Sequence, residues 1–177
     1  MQKGKIIFLN GVSCSGKTTL ARKLQEQLAE PFYWLNIDTF INMSHEKYFS
    51  DRTIVNKAVS MLPHTIKTFS DMGLNTIIDH VLLKIDILLE ECIEVLHEYS
   101  VLFVHVTCPL NENLRRAEER GSSPEIIEWQ LSNLIPQEPY DLTIDTTKNE
   151  CADKIIELLS CPEKLTAFKT LWEQRNK

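Results

Sequence analysis

Five short apolar runs, separated by stretches of helical periodicity, predict an α/β fold built on a five-stranded parallel sheet with helices on both faces. A complete G-x-x-x-x-G-K-[ST] loop, Gly11-Val12-Ser13-Cys14-Ser15-Gly16-Lys17-Thr18, follows the first run and opens the first helix. Asp38 and Asp79 close the second and third runs, beyond the carboxyl ends of strands where such sheets bind ligands. Strand, glycine loop and helix in that order define a P-loop NTPase fold, and 177 residues suit a single domain, 1–177.

The first strand is Lys5-Ile6-Ile7-Phe8-Leu9-Asn10, short, apolar and β-branched. After the loop, Leu20, Leu24 and Leu28 recur every four residues with Ala21 beside them, one face of an amphipathic helix. Pro31 breaks the chain, and Phe32-Tyr33-Trp34-Leu35-Asn36-Ile37 reads as a second strand ending at Asp38. A polar loop through Ser44, His45 and Glu46 leads into a helical stretch carrying Ile54, Val55, Ala58, Val59, Leu62, Ile66 and Phe69. Pro63 inside it predicts a kink or two shorter helices, and Gly73 reads as its C-cap.

Asn75-Thr76-Ile77-Ile78-Asp79 is the third strand, followed by a helix marked by Ile85, Leu88, Leu89, Cys92, Ile93 and Leu96. Residues 101–106 are a buried fourth strand. A charged helix over 113–120 ends at Gly121, and Pro124 starts another through Trp129 and Leu134. Asp141-Leu142-Thr143-Ile144-Asp145 is a short fifth strand, and helices over 155–159 and 165–172 complete the pattern.

The loop carries the chemistry. Its glycines let the backbone turn around an anion, and the exposed N–H groups point at phosphate oxygens. Lys17 reaches the β- and γ-phosphates, the Thr18 hydroxyl serves Mg²⁺, and the helix entered through Thr19 turns its positive end to the same anion. Asp79 supplies a carboxylate for the Mg²⁺ water shell beside Thr18; capping a turn is the alternative. Asp38 lies where an acceptor approaches the γ-phosphate and can take the proton of its hydroxyl; a helix N-cap role before Thr39 is the alternative. Arg116 and Arg120, four apart, share a helix face from which guanidiniums can close over a triphosphate, with Arg115 beside them. Glu112, Glu118 and Glu119 offer these arginines a plain solvated pairing instead. His80 faces the acceptor pocket or packs at the strand end, and both readings stand.

A net charge of −6 argues against a general nucleic-acid or membrane-surface binder, and no apolar run approaches transmembrane length. The N-terminus enters the first strand directly, without a signal-peptide pattern. Five cysteines, odd in number and without a C-x-x-C pair, fit a reducing cytoplasm and give no zinc signature. Cys14 reads as a small residue tolerated at a free loop position, with a reactive thiol as the alternative.

The segments Phe8-Leu9-Asn10-Gly11 through Lys17, Pro31-Phe32 through Asp38, and Ile77-Ile78-Asp79 with Val81 fall in a known order. Val101-Leu102-Phe103-Val104 with Cys108, Glu119-Arg120-Gly121, and Tyr140-Asp141 through Asp145-Thr146-Thr147 continue it. Together they resemble the chloramphenicol 3-O-phosphotransferase-like family of P-loop kinases, over most of the chain to about residue 159. The resemblance implies a nucleoside-monophosphate-kinase-like fold, ATP with Mg²⁺, and a helical lid at about 110–134. It also implies Asp38 as the base for the acceptor hydroxyl and Arg120 as a phosphate-contacting lid arginine. Where the family's lid reads Arg-Gly-Asp-Arg, this chain has Arg120-Gly121-Ser122-Ser123, which leaves Arg115 or Arg116 for the second arginine's part. His80 replaces an acidic residue common in the family, and the segment between Asp38 and Asp79 is shorter than in the antibiotic-modifying enzyme.

The leading expectation is an ATP-dependent kinase moving a γ-phosphate to a hydroxyl of a small molecule. A regulatory ATPase or nucleotide-binding switch is the alternative from another class, although no N-K-x-D guanine motif is present. A nucleotide, shikimate or gluconate-type kinase is the third, set against a single arginine, Arg52, between Asp38 and Asp79.

Overall fold

The computed structural model describes residues 2–83, 87–134 and 139–176. Five strands form one sheet: β1 (Ile6–Asn10), β2 (Phe32–Asn36), β3 (Asn75–His80), β4 (Val101–Thr107) and β5 (Leu142–Asp145). Their order is β2-β3-β1-β4-β5 and every pairing is parallel, so the predicted sheet forms. β1 sits at the centre, with Ile7 opposite Ile77 on one side and Leu102 on the other.

The period-2 alternation of β1 splits the core in two. Ile6 and Phe8 point to one face, packed with Leu62, Ile66, Leu89, Ile93 and Phe168. These come from α4 (Met61–Asp71), α5 (Ile87–Leu96) and α9 (Ala167–Arg175). Ile7 and Leu9 point to the other, packed with Leu20, Leu24, Ile155 and Leu159 from α1 (Lys17–Gln27) and α8 (Cys151–Leu159). On the first of these faces Phe8, Phe103 and Phe168 meet edge-on and tilted, with ring centroids 5.0–6.0 Å apart. All three are fully buried, which contributes roughly 1.5–3 kcal/mol per side chain.

Local differences from expectation have clear causes. The stretch 54–69 divides at Ser60 into α3 (Arg52–Val59) and α4, so Pro63 stands in the first turn of α4, where a missing N–H costs little. Gly73, at φ 78, ends α4: its N–H goes to Ser70 O at 2.9 Å and that of Leu74 to Phe69 O at 2.9 Å, a Schellman cap. The second strand stops at Asn36. Its side chain accepts from Asp38 N at 2.7 Å and caps a short helix α2 (Ile37–Ile41), so Asp38 lies in a helical first turn and not at a strand end. The charged helix starts earlier than its charges suggest, as α6 (Leu110–Glu119), and α7 (Pro124–Asn133) follows. Ile85 lies outside the described residues.

Asn10, fully buried, fixes the chain that leaves β3. Its Oδ1 accepts from Leu82 N at 2.7 Å, while its Nδ2 donates to Leu82 O at 3.2 Å and to the Tyr140 hydroxyl at 2.7 Å. That three-way tie sets the position of Val81 and Leu83 beside the site.

Candidate active site

The glycine loop joins β1 to α1 as its pattern requires. Gly16 takes φ 101, which L-residues avoid, and forms the N-cap of α1 with no side chain to block the first-turn amides. Gly11 is required for a different reason: a Cβ there would meet Val106 O of β4 at 2.1 Å. Cys14 is the unexpected member, a buried non-glycine residue at φ 61. Val12 and Cys14 are also packing residues, set against Ala117 of α6 and Ile127 of α7.

Lys17 lies folded along the loop, donating to Gly11 O at 2.9 Å and Val12 O at 3.0 Å. Burial lowers its pKa and the Asp79 carboxylate, 4.0 Å away, works in the opposite direction. Thr18 Oγ1 donates to Asp79 Oδ2 at 2.5 Å, so the two side chains expected to serve a metal converge. Mg²⁺ is held by one or two protein oxygens together with waters and phosphate oxygens, and this hydroxyl–carboxylate pair fits that donor set. Among the described residues no cluster of three His, Cys, Asp or Glu side chains offers a fuller cage. His80, next to Asp79, is pushed down to about 4 by burial and then by Lys17, so its ring is neutral near pH 7.

The helices α6 and α7 grip the loop through groups that carry no sequence signature. Gln130 Oε1 accepts from Ser13 N at 2.7 Å, and Asn113 Nδ2 donates to Ser13 O at 2.9 Å, so both sides of one loop residue are held. The Thr146 hydroxyl donates to Ser15 O at 2.7 Å. Arg116 Nη1 reaches the same carbonyl at 3.3 Å and Thr146 Oγ1 at 3.0 Å, while its Nε is anchored on Glu112 at 2.7 Å. Arg115 turns away, paired with Glu112 and Glu119 on its own helix surface. Of the two candidates beside Arg120, then, Arg116 faces the loop.

Two cavities flank the loop. One of about 440 Å³ is lined by Gly16, Thr19, Lys23, Arg116, Arg120 and Thr146. The other, of about 820 Å³, has Ser13, Lys17, Thr18 and Asp79 at its lining together with Asp38, Arg52 and His80. Cys14 and Arg120 line both. The structure thus brings Asp38 into one chamber with the loop lysine, although Asp38 itself is exposed.

A parallel 2-3-1-4-5 sheet around this loop is the architecture of a P-loop kinase. The family model "Chloramphenicol phosphotransferase-like protein" matches residues 4–160, and the chain belongs to that family. It is 28% identical over 202 residues to a Mycobacterium tuberculosis protein provisionally named an O-phosphotransferase, covering 97% of this chain and 89% of the relative. It is 29% identical to the "Bifunctional enzyme CysN/CysC" of Rhodopirellula baltica, covering 89% of this chain but spanning 26% of that longer protein. The fold superposes on the APS kinase of Mycobacterium tuberculosis, solved with AMPPNP and APS, at TM-score 0.70 and 18% identity, covering 90% and 99% of the two chains. The protein is an ATP-dependent small-molecule kinase. No helix among the described residues is long and apolar enough to cross a membrane.

Proposed function

We propose that this kinase transfers the γ-phosphate of ATP to a hydroxyl of a small acceptor held in the 820 Å³ chamber, with Asp38 as the general base. One observation carries the reading: the chamber joins the phosphate loop to Asp38 in a single space large enough for an acceptor. A switch or regulatory ATPase needs no such room.

In this mechanism the loop amides and Lys17 hold the β- and γ-phosphates, and the smaller cavity beside Thr19 and Arg116 receives the nucleoside. Asp38 accepts the hydroxyl proton as the acceptor oxygen bonds to phosphorus and the bond to the β-phosphate oxygen breaks, leaving ADP. Lys17 and Arg120 neutralise the charge that moves onto the leaving oxygen. Mg²⁺ held by Thr18 and Asp79 would add charge neutralisation at the phosphates. The helices α6 and α7 form the lid over a single kinase domain, with Arg116 supplying the second lid guanidinium. Five unpaired cysteines support a reducing, cytoplasmic setting.

ADP release, measured with and without a panel of hydroxylated acceptors including chloramphenicol, tests the assignment. Acceptor-stimulated release supports it, and release that no acceptor stimulates argues for the ATPase. Asp38→Asn is expected to lower acceptor-dependent kcat by about 10²–10⁴-fold while ATP still binds. Transfer at a near wild-type rate would remove Asp38 from the role.

A further inference from the structure

Six arginines occur in the chain, and most are already committed. Arg115 and Arg116 pair with Glu112, Arg175 with Glu90, and the Arg22 guanidinium lies over the Trp34 ring, 5.6 Å from its centroid. Among the described residues Arg52 and Arg120 have no carboxylate partner, and both line the 820 Å³ chamber. Arg120 also lines the cavity beside the loop, where a triphosphate accounts for it. Arg52 does not, and phosphate binding gives it no employment.

The helix that carries Arg52 presents a graded stripe. Arg52, Asn56 and Val59 stand at i, i+4 and i+7 on α3, and all three line the chamber. Asn36, at the end of β2, adds a second amide. From the far side of β3 come Leu83, Ile87 and Leu88. Ile87 is 68% exposed, an apolar side chain left open at the chamber mouth. The N–H groups of Thr53 and Ile54 at the start of α3 are already capped by Asp51, so the guanidinium and not the helix end is the free anion-binding group.

Resting on the kinase reading above, we propose that the acceptor is a hydroxy acid with an apolar skeleton. Its hydroxyl lies at Asp38, its body against Val59, Ile87 and Leu88, and its carboxylate on Arg52. One planar guanidinium flanked by amides suits a single carboxylate, which it can bind through two parallel hydrogen bonds. A neutral acceptor leaves the exposed Arg52 guanidinium to water alone, and a polyol leaves Ile87 in water.

The test uses aromatic and alicyclic hydroxy acids, each paired with its own primary amide, in an ADP-release assay with wild type, Arg52→Gln and Arg52→Lys. Thermal melts check that the variants fold. The wild type is expected to favour acids over their amides by about tenfold or more in kcat/KM, the discrimination that 1.4 kcal/mol of binding supplies. Arg52→Gln is expected to erase that ratio through acceptor KM, and Arg52→Lys to restore part of it. Equal use of acids and amides by the wild type, or an unchanged ratio in Arg52→Gln, overturns the proposal. So does a panel in which only neutral acceptors stimulate ADP release, whereas release that no acceptor stimulates argues for the ATPase. Absence of any ATP turnover strikes the kinase reading itself.

Discussion

Glu112 shows how one carboxylate can set the geometry of a site it does not enter. It anchors Arg116 at 2.7 Å, and Arg116 in turn touches the Ser15 carbonyl of the loop. Hydrogen bonds from Arg115 and then Arg116 hold the Glu112 carboxyl down to about 2. Its folded-state pKa is therefore below its ordinary value, so the stability it contributes is present above about pH 4.5 and is lost as pH falls toward 2. Glu112→Gln is expected to lower the melting temperature modestly at pH 7, with the two curves drawing together below about pH 4.5 and converging toward pH 2. A gap that stays constant with pH would show that the ion pairs do not carry the effect. In the sequence Glu112 is one acid among several, and its partner choice follows from α6 starting at Leu110, which places Glu112 in the first turn of the helix. The placement of Lys17 and Thr18 at the loop was legible because the motif fixes their spacing. Gln130 and Asn113 were not, since a lone amide on a helix carries no pattern until another element approaches it.

At the scale of elements, glycines separate two kinds of requirement. Gly73 is needed for its left-handed φ at the end of α4, with Gln2 O 3.3 Å from where a Cβ would stand. Gly73→Ala is expected to cost roughly 1–2 kcal/mol in urea unfolding, with the ATP KM unchanged. Gly11 is needed because β4 approaches it, and an added Cβ would lie 2.1 Å from a backbone oxygen that cannot turn aside. Gly11→Ala is expected to cost more and also to weaken ATP binding, because the loop must move to relieve the clash. Equal stability losses, or an intact ATP KM in Gly11→Ala, would show that the loop has slack. The strands were readable from apolar runs because β1, β3 and β4 are buried on both faces. The Asp38 segment was misread as strand because Leu35 and Ile37 continue the apolar run, while the Asn36 cap that starts a helix there acts through one side-chain hydrogen bond.

Over the whole molecule, the groups of the site come from one end of the sheet. The loop follows β1, Asp38 follows β2, Asp79 nears the end of β3, and Thr146 follows β5. No single strand holds the site, so a ligand there ties several elements of the fold together, while unfolding scatters them. Binding to the folded state alone stabilises by RT ln(1 + [L]/Kd), about 2.7 kcal/mol at a hundredfold excess over Kd. For a chain of 177 residues that corresponds to a rise of roughly 5–10 °C in melting temperature. ATP with Mg²⁺ is expected to give such a rise in the wild type. Lys17→Ala is expected to lose most of it, whatever its own melting point, because the cation that meets the phosphates is gone. Asp38→Asn is expected to keep it in full, because its defect lies in the transfer step. If Lys17→Ala shifts as far as the wild type, the nucleotide binds elsewhere. If Asp38→Asn loses the shift, Asp38 belongs to ATP binding and the acceptor half of the chamber must be reassigned.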